Sequence, residues 1–595
     1  MSLDSNQIKA VEFGQGPALV VAGPGSGKTT VLTHRVRYLI NELKVKPEKI
    51  LVITFTKAAA AQMKQRFENL VDEYAPVSFL TFHSLFYSII CDFRSQNVSL
   101  LSPKEKQNII FTILKENGIF YDALNINELM KEFADCKNSS KERGLHNSKL
   151  LEEDVFVKVF KEYQYEIGKL GKPDYDDFSV WVKDIFDSNQ KLLEYWQSKY
   201  EYCLIDEFQD INTPQYEIVC KMIKSKNIFA VGDEDQSIYG FRGSDPTVCF
   251  RFAEEYNATK IMLSTNYRSG QNIVSGACRL IKHNKIRFEK HIKASGENDM
   301  GVFKITGFFD YSDEFEKLTD ELLEHKEFSS AILLRTNSIP GQLIRKLIEK
   351  GLNPVFKEKL EKITDNPVVK DVYSYLKLAK YKSFDDLVRI ANKPNRYISR
   401  AFLTKCMTES GENISFPILY RHSKDKGYLA TNIYKLEMNL RKLKDMDSFE
   451  ALMYIFNVIG YEKYLYDQRI KFDEILCKLK DLTKEYKTID EIIDYFRFIE
   501  TENDMNYVNH IPFDGKKVEI MTMHSAKGLE WDEVYIPSVN EGVIPHKRSL
   551  DGNLIEEERR LLYVAITRGR QKVWVSYENN ADKRLKPSPF IKELS

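Results

Sequence analysis

The sequence predicts an α/β protein with two parallel-sheet cores, each interrupted by a mainly α-helical insertion. Short β-branched runs recur along the chain and alternate with helical sequence, as expected for strands buried on both faces of a parallel sheet. Between about 90 and 195, and again between about 367 and 505, the sequence is helix-rich and Lys/Glu-rich and almost free of such runs. A length of 595 residues also suits about four domains at roughly 150 residues each.

Nine segments have the composition of buried strands. They are PALVVAG (17–23), LVITFT (51–56), YCLIDE (202–207), NIFAVGD (227–233), IMLST (261–265), AILLRT (331–336), VEIMTM (518–523), DEVYIP (532–537) and KVWVSY (572–577). We expect a first core in 1–90 and 196–270 with a helical insertion in 91–195. We expect a second core in 271–375 and 506–595 with a helical insertion in 376–505.

Composition excludes several classes of protein. Lys+Arg and Asp+Glu each number 87, so any binding of nucleic acid must be local rather than the result of a basic surface. The eight cysteines contain no C-x-x-C pair, which argues against a zinc ribbon, an iron-sulfur cluster or a disulfide framework. No apolar signal core or membrane-length apolar run is present, so we predict a cytoplasmic protein with reduced thiols and no membrane partner.

A glycine-rich loop follows the first predicted strand. The glycines allow a tight turn whose N–H groups face phosphate oxygens, and the following helix N-terminus adds positive potential. Lys28 is placed to reach the β and γ phosphates, and the Thr29 hydroxyl to bind Mg²⁺. The predicted phosphate-binding residues are Ala22, Gly23, Pro24, Gly25, Ser26, Gly27, Lys28, Thr29 and Thr30.

Two acids end the strand in YCLIDEFQD. At the carboxyl end of a parallel strand, Asp206 can hold Mg²⁺ and Glu207 can polarise an attacking water, which favours hydrolysis over transfer to a small acceptor. The alternative is that the two acids merely end a strand. The sequence has no N-K-x-D guanine-binding motif and no L-S-G-G-Q transporter signature, so a GTPase or a transporter ATPase is disfavoured.

The stretch VGDEDQSIYGFRGS (231–244) begins like a buried strand and ends like a surface loop. It places Phe241 between Gly240 and Arg242, where little nearby sequence could bury an aromatic ring. One interpretation is a turn whose aromatic residues fold back onto the core. The other is a functional loop that presents Phe241 to a ligand.

Nine motifs together resemble the UvrD/Rep/PcrA family of superfamily 1 helicases, in order and over nearly the whole chain. They are LDSNQIKAV, AGPGSGKTT, TFTKAAAAQM, FLTFHSLF, LIDEFQDIN, VGDEDQSIYGFRGS, LSTNYRS, IMTMHSAKGLEWDEVYIP and EEERRLLYVAITRGR. The resemblance implies two RecA-like P-loop cores that use ATP and Mg²⁺, with Lys28, Asp206 and Glu207 among the catalytic residues. Phe241 stands where tryptophan is more common in the family.

The resemblance also implies further contacts with the nucleotide. Gln7 would meet the adenine edge, Tyr267 would stack on the adenine face, and Glu530 would meet the ribose. Three more catalytic residues would act at the phosphates, with Gln236 sensing the γ-phosphate and two arginines, Arg268 and Arg568, neutralising charge from across the cleft. For Arg568, the alternative is a surface salt bridge with the upstream EEERR.

A path for DNA is implied by residues that can stack on bases or contact the backbone. Base stacking tolerates any sequence, as a motor that steps along a strand requires. Phe55 could instead be a core residue, because it lies at a strand end. The residues implied by the resemblance are Phe55, His83, Phe241, Arg242 and His524.

The expected function is that of an ATP-dependent DNA helicase that moves 3′ to 5′ on single-stranded DNA and unwinds duplex DNA in repair, replication or recombination. Its expected partners are single-stranded DNA, single-strand/duplex junctions and a nuclease or repair protein, with a monomer in isolation. The alternative is a single-stranded DNA translocase or motor subunit of a nuclease or phage-defence complex that unwinds weakly alone, because the segment before PSPF (587–590) is shorter than the family's strand-separating hairpin. A nucleotide-switched binding or structural protein is disfavoured by the intact catalytic set.

Overall fold

The computed structural model describes most of the chain and divides it into two compact units. The first unit comprises Met1–Leu318, Glu327–Arg335 and Thr522–Ser595, and the second comprises Thr319–Lys326 and Thr336–Met521. The described residues are 3–71, 75–119, 123–138, 148, 150–240, 243–296, 299–336, 341–357, 363–411, 413–423, 427–468, 470, 472–502, 515–546, 549, 552–580 and 586–595.

The first unit contains a six-stranded parallel sheet. Its strands are β1 (Ala18–Ala22), β2 (Ile50–Thr54), β3 (Ser78–Thr81), β4 (Tyr202–Ile205), β5 (Asn227–Gly232) and β6 (Thr259–Leu263), in the order β3-β2-β4-β5-β1-β6. Every residue of β1, β2, β4 and β5 is buried. The centre of the sheet is therefore covered on both faces, which explains the continuous apolar runs in the sequence.

Helices cover this sheet and form the first helical block. Two caps illustrate how the sequence fixes their ends: Asp4 and Gln7 form a capping box at the first helix, and Thr56 accepts a hydrogen bond from the Ala59 N–H at the third. The helices are α1 (Ser5–Val11), α2 (Lys28–Asn41), α3 (Lys57–Glu68), α4 (Phe82–Arg94), α5 (Pro103–Glu116), α6 (Ala123–Asn138), α7 (Glu153–Leu170), α8 (Phe178–Ser188), α9 (Gln190–Lys199), α10 (Thr213–Met222) and α11 (Thr247–Glu255). The next helix, α12 (Gln271–Ile281), packs against the second set of strands.

A second set of parallel strands also lies in the first unit. After the short pair β7 (Thr265–Asn266) and β8 (Lys293–Ala294), the chain forms β9 (Val302–Phe308), α13 (Tyr311–Glu324) and β10 (Ser330–Leu334), with the end of α13 from Thr319 onward assigned to the second unit. The later strands β13 (Trp531–Ile536) and β14 (Gly569–Glu578) lie between them, in the order β10-β13-β14-β9. Helices α24 (Asn553–Ile566) and α25 (Pro589–Leu594) belong to the same region.

The second unit is mostly helical. One apolar cluster extends from Val368 to Phe496 and packs the helices of that range together. A parallel pair of strands, β11 (Asn353–Phe356) and β12 (Lys517–Thr522), completes the unit. The helices are α14 (Gly341–Glu349), α15 (Pro367–Tyr381), α16 (Phe384–Ile390), α17 (Arg400–Ser410), α18 (Phe416–Ser423), α19 (Gly427–Leu443), α20 (Ser448–Met453), α21 (Tyr461–Asp467), α22 (Asp473–Glu485) and α23 (Ile489–Glu502), with a π-helical turn at Tyr454–Val458.

The predicted fold class is confirmed, since both sets of core strands are parallel and long helical segments separate them. All nine predicted strand segments contain a strand. Within the described residues, none of the helices combines the length and apolarity needed to span a bilayer.

Candidate nucleotide and DNA sites

The predicted nucleotide-binding residues gather at one edge of the first sheet. The chain leaves β1 into the glycine-rich loop, β4 into Asp206 and Glu207, and β5 into the turn that carries Gln236. Since β1, β4 and β5 are parallel neighbours, their carboxyl ends lie at the same edge. This is the edge at which open α/β sheets bind ligands.

The glycines of the phosphate loop are required by the backbone and by close neighbours. Gly25 has φ +64° and Gly27 has φ +81°, in the left-handed region. A Cβ at Gly25 would lie 2.7 Å from Arg268 Cβ, and one at Gly27 would lie 2.8 Å from Gln7 Nε2. At Gly23, it would lie 2.9 Å from Ile292 Cδ1. The backbone conformation therefore favours glycine at Gly25 and Gly27, and a Cβ at Gly23 would press on the end of the Ile292 side chain.

Side chains and strand β7 hold the loop in place. Ser26 Oγ donates to the Gly23 carbonyl at 2.7 Å, and Asn266 Nδ2 donates to the Pro24 carbonyl at 2.7 Å. The Tyr267 N–H donates to the Gly25 carbonyl at 2.9 Å. These bonds use carbonyl oxygens, so they orient the loop without competing with phosphate for its donors.

The first turn of α2 carries Lys28, Thr29 and Thr30, which are all half-buried. Thr33 Oγ1 donates to the carbonyls of both threonines at 3.0 Å. Ala22 is the last, buried residue of β1.

The two residues predicted to contact adenine share a partner. Gln7 Nε2 donates to the Ser26 carbonyl at 3.0 Å, and Gln7 Oε1 accepts from the Asp4 N–H at 3.0 Å. Tyr267 donates its hydroxyl proton to Asp4 Oδ2 at 2.5 Å. Helix α1 is thereby attached to the phosphate loop on one side and to the segment after β7 on the other, which places Gln7 and Tyr267 together.

Lys28, Asp206 and Glu207 form a buried charged group. Lys28 Nζ lies 3.2 Å from Glu207 Oε2. Burial, reinforced by the Glu207 charge, raises the pKa of Asp206 to about 7. Burial opposes ionisation of Glu207 as well, but the charges of Lys28 and Lys527 outweigh it and hold the Glu207 pKa at about 2. Glu207 is thus ionised at neutral pH, and Asp206 is the carboxylate that gains most from a nearby cation.

Glu207 has a strained backbone. Its φ of +49° and ψ of +47° place it in the left-handed region, which costs a non-glycine residue of order 1–3 kcal/mol. Its N–H donates to Asp206 Oδ1 at 3.0 Å, and Gln209 Nε2 donates to Glu207 Oε2 at 2.6 Å. The strain turns the Glu207 side chain back toward Lys28, and the hydrogen bonds fix it there.

Gln236 connects the first set of strands with Arg568 from the second. Its Nε2 donates to Asp233 Oδ2 at 2.6 Å, and its Oε1 accepts from Arg568 Nη2 at 3.1 Å. Arg568 is 2% exposed, so it is not the surface arginine of the alternative interpretation. Its hydrogen-bond partners in the described part of the chain are neutral oxygens, of Gln236, Val564, Leu529 and Thr567.

Burial lowers the pKa of Arg568 to about 9, and the charge of Arg268 contributes. A buried guanidinium surrounded by neutral oxygens is stabilised by an incoming anion. Arg268 differs, because its Nε lies 2.5 Å from Glu530 Oε2. Glu530 is exposed and also pairs with Arg570.

Mg²⁺ fits the donor set at this edge. The described residues contain no group of three His, Cys, Asp or Glu side chains arranged to hold a metal ion. Mg²⁺ usually takes one or two protein oxygens and completes its shell with water and substrate phosphates. Asp206 and Thr29 supply such oxygens, and a bound cation would relieve the burial cost of the Asp206 charge.

The predicted DNA contacts fall into three places. Phe55 is half-buried and stacks on Tyr239, with ring centroids 5.3 Å apart and planes 6° apart. Among the described residues, it belongs to neither of the two apolar clusters on the faces of the first sheet. His83 is exposed at the start of α4 and packs edge-on to Tyr175 at 5.7 Å. His524 is half-buried in the turn after β12. Phe241 and Arg242 lie outside the described residues.

Three residues at the site were not predicted from the sequence, although all lie within the quoted motifs. Gln209 connects Glu207, Asp210 and the Asp233 N–H. Lys527 contacts Asp210 and the Gln236 carbonyl. Tyr239 stacks on Phe55. Their position within the motifs indicates that these residues have a role, but no local sequence pattern shows which residues they contact.

Comparison with known proteins agrees with the motifs. Residues 3–257 match the UvrD/REP helicase N-terminal domain, and residues 261–580 match the UvrD-like helicase C-terminal domain. The chain is 32% identical over 639 residues to the ATP-dependent DNA helicase PcrA of Staphylococcus epidermidis, and 30% identical over 640 residues to that of Staphylococcus aureus. Each alignment covers 100% of this chain and 86% of the relative.

Proposed function

Because this chain belongs to the UvrD/REP helicase family, we propose that it is an ATP-dependent DNA helicase that moves 3′ to 5′ on single-stranded DNA and unwinds duplex DNA. The observation that carries the proposal is the 3.1 Å hydrogen bond between Gln236 and Arg568. It joins the carboxyl edge of the first sheet to an arginine that follows α24. One nucleotide site is thus built from both sets of strands, so that hydrolysis can be coupled to their relative motion.

The residues at this site have distinct parts in hydrolysis. The glycine-rich loop and Lys28 bind the phosphates of ATP, and Glu207, ionised at neutral pH, accepts a proton from the attacking water. Gln236 and Arg568 face the γ-phosphate, where charge develops. Mg²⁺, held by Asp206 and Thr29, would neutralise charge on the β and γ phosphates.

Binding of adenosine involves the residues around Asp4. Tyr267 stacks on the base, Gln7 bonds to its edge, and Glu530 meets the ribose. The hydrogen bonds that join Gln7 and Tyr267 to Asp4 hold both side chains in place before binding, which lowers the entropy cost of recognition.

DNA follows a path over aromatic and imidazole rings. Phe55 and His83 lie on the first core, Phe241 and Arg242 follow the Gln236 turn, and His524 lies on the second core. Base stacking of about 1–3 kcal/mol per base gives affinity without sequence preference. This local binding accounts for DNA recognition by a chain with equal numbers of acidic and basic residues.

The domain organisation is proposed as four parts: a first RecA-like core (1–90, 196–270), its insertion (91–195), a second core (271–375, 506–595) and its insertion (376–505). The eight cysteines are free thiols, which supports a reducing, cytoplasmic environment. The protein acts as a monomer in isolation, on single-strand/duplex junctions, with a nuclease or repair protein as partner in DNA repair, replication or recombination.

The test compares unwinding of duplexes that carry a 3′ or a 5′ single-stranded tail, together with ATP hydrolysis with and without oligo(dT). We expect DNA-stimulated hydrolysis and unwinding only from the 3′ tail. The control is Glu207→Gln, which keeps the size of the side chain and should lower turnover by about 10² to 10⁴-fold. If the Glu207→Gln variant kept DNA-stimulated ATP hydrolysis, the assignment of Glu207 as the residue that accepts the proton from water would be wrong.

A preference for the 5′ tail would contradict the proposed direction. Strong DNA-stimulated hydrolysis without unwinding would instead indicate the alternative, a translocase or motor subunit. The segment on which that alternative depends contains residues 581–585, which lie outside the described residues.

A further inference from the structure

Lys527 contacts both the nucleotide site and the predicted DNA path. It lies in the turn after β12, and its side chain is 7% exposed. Its Nζ donates to Asp210 Oδ2 at 2.5 Å and to the Gln236 carbonyl at 2.7 Å. The same Nζ lies 4.8 Å from the centroid of the Tyr239 ring. One ammonium group therefore contacts an acid, a backbone carbonyl and an aromatic face.

The Asp210 contact leads to the catalytic base. Gln209 Nε2 donates to Asp210 Oδ2 at 3.1 Å and to Glu207 Oε2 at 2.6 Å. Asp210 is buried, and its Oδ1 has no hydrogen-bond partner among the described residues. A buried carboxylate held in this way depends on Lys527 for its charge balance. Movement of the Lys527 side chain would therefore shift the carboxylate to which Gln209 is bonded.

The Gln236 contact leads to the γ-phosphate sensor. Lys527 binds the carbonyl of the residue whose side-chain oxygen accepts from Arg568. The Tyr239 contact leads to the DNA path, because Tyr239 is stacked face to face on Phe55. A base that inserts between the two rings, or takes the face that one ring now presents to the other, must separate Phe55 from Tyr239.

We propose that Lys527 is the positioning residue that transmits occupancy of the Phe55–Tyr239 site to Gln236 and, through Asp210 and Gln209, to Glu207. The inference rests on the proposed function, because it requires DNA to act on those rings. Lys527 is not among the residues placed at the reacting atoms. Within the described residues its ammonium contacts these connectors, and its charge also acts on Glu207. Removing it breaks the connection while the phosphate loop, Lys28 and Arg568 stay in place.

The main experiment measures the stimulation ratio, defined as kcat for ATP hydrolysis with saturating oligo(dT) divided by kcat without DNA. We expect Lys527→Met and Asp210→Asn each to lower the ratio by about tenfold, within the roughly 5- to 150-fold typical of coupling between two sites. Lys191→Met, at an exposed lysine on α9, is the matched control and should keep the wild-type ratio. A purely structural role would lower both rates in proportion, so an unchanged ratio in Lys527→Met would overturn the inference.

The double variant Lys527→Met/Asp210→Asn covers the case in which Lys527→Met alone is poorly folded. It leaves no unpaired buried charge, and its ratio should equal that of Lys527→Met, because loss of Lys527 already breaks the contact that Asp210→Asn removes. A double variant with the wild-type ratio would overturn the inference. So would a ratio reduced by the product of the two single effects, because this indicates independent roles.

Tyr239 provides a second readout. Tyr239→Phe keeps the ring over Lys527 and should keep the stimulation ratio, whereas Tyr239→Leu removes the aromatic face and should lower it about as much as Lys527→Met does. Equal ratios in the two Tyr239 variants would contradict the ring's part in the connection. A wild-type protein that DNA does not stimulate would contradict the proposed function itself, whereas normal wild-type stimulation with no effect at Lys527 contradicts only this inference.

Discussion

Arg568 and Arg268 are both expected to act at the γ-phosphate, but their surroundings predict unequal effects. Arg568 is buried and hydrogen-bonded to neutral oxygens, including Gln236 Oε1 at 3.1 Å. Arg268 is paired with Glu530 at 2.5 Å, and its side chain is 17% exposed. A carboxylate and solvent already offset the Arg268 charge, whereas the Arg568 charge is available to the phosphate.

An arginine that neutralises the transferring phosphoryl group contributes about 10³ to 10⁵-fold to turnover. We therefore expect Arg568→Gln to lower kcat by about 10³-fold or more, or roughly 4 kcal/mol at about 1.36 kcal/mol per tenfold. For Arg268→Gln we expect a loss of about 10²-fold or less. The assay is steady-state ATP hydrolysis at saturating ATP and oligo(dT), so that differences in affinity do not enter.

A binding measurement separates the role of Arg568 from general damage. The ATP analogue AMP-PNP and ADP should both raise the melting temperature of the wild-type protein. In Arg568→Gln, the shift caused by AMP-PNP should fall toward that caused by ADP, because only the analogue carries a γ-phosphate. If Arg268→Gln costs as much turnover as Arg568→Gln, or if the AMP-PNP shift is unaffected, the electrostatic argument is wrong.

Three further predictions follow from other positions. Gly27 has φ +81° and a close Gln7 neighbour, so Gly27→Ala should weaken ADP binding about tenfold or more. The control is Gly14→Ala, where a Cβ meets nothing within 4 Å, and it should bind ADP like the wild type. Equal ADP affinities of the two variants would contradict the strain argument. Phe241→Ala should weaken DNA-stimulated hydrolysis and stepping with nearly intact nucleotide binding, whereas an unfolded variant would indicate a core residue. Burial raises the pKa of Glu314 above 4.5, so the free energy of unfolding should fall as pH rises above 4.5 and the buried carboxyl loses its proton. Thermal melts of Glu314→Gln should lack this part of the pH dependence. Identical pH dependences of the melting temperature in the wild type and Glu314→Gln would contradict the prediction.

The central strands were predictable from the sequence because they are continuous apolar runs, whereas three less buried strands were not. β3, β9 and β11 lie outside the nine predicted segments, and each carries half-buried or exposed residues. A strand that is covered on fewer sides needs fewer apolar residues, so it lacks the composition by which β1 and β5 were found.

At the nucleotide site, contacts between residues close in sequence were predictable, and contacts between distant residues were not. The phosphate loop and the Asp206–Glu207 pair were predictable because adjacent residues within one strand and loop carry their chemistry. The contacts of Lys527 with Asp210 and of Arg568 with Gln236 join residues more than 300 positions apart. Such pairings are set by how the strands assemble, and no local pattern specifies them.

Neutral amides join the loops of the nucleotide site, and their chemistry explains how charge is kept available for the substrate. Gln209 donates to two carboxylates, Gln236 donates to Asp233 and accepts from Arg568, and Asn266 donates to the Pro24 carbonyl and accepts from the Arg268 N–H. An amide both donates and accepts, so it can connect an acid to a backbone group or to an arginine without adding charge. A lysine or carboxylate in the same places would neutralise or repel Glu207 and Arg568. Because these connectors are neutral, they add no charge to the effect of Lys28 and Lys527 on Glu207, and they leave the Arg568 charge available to the γ-phosphate.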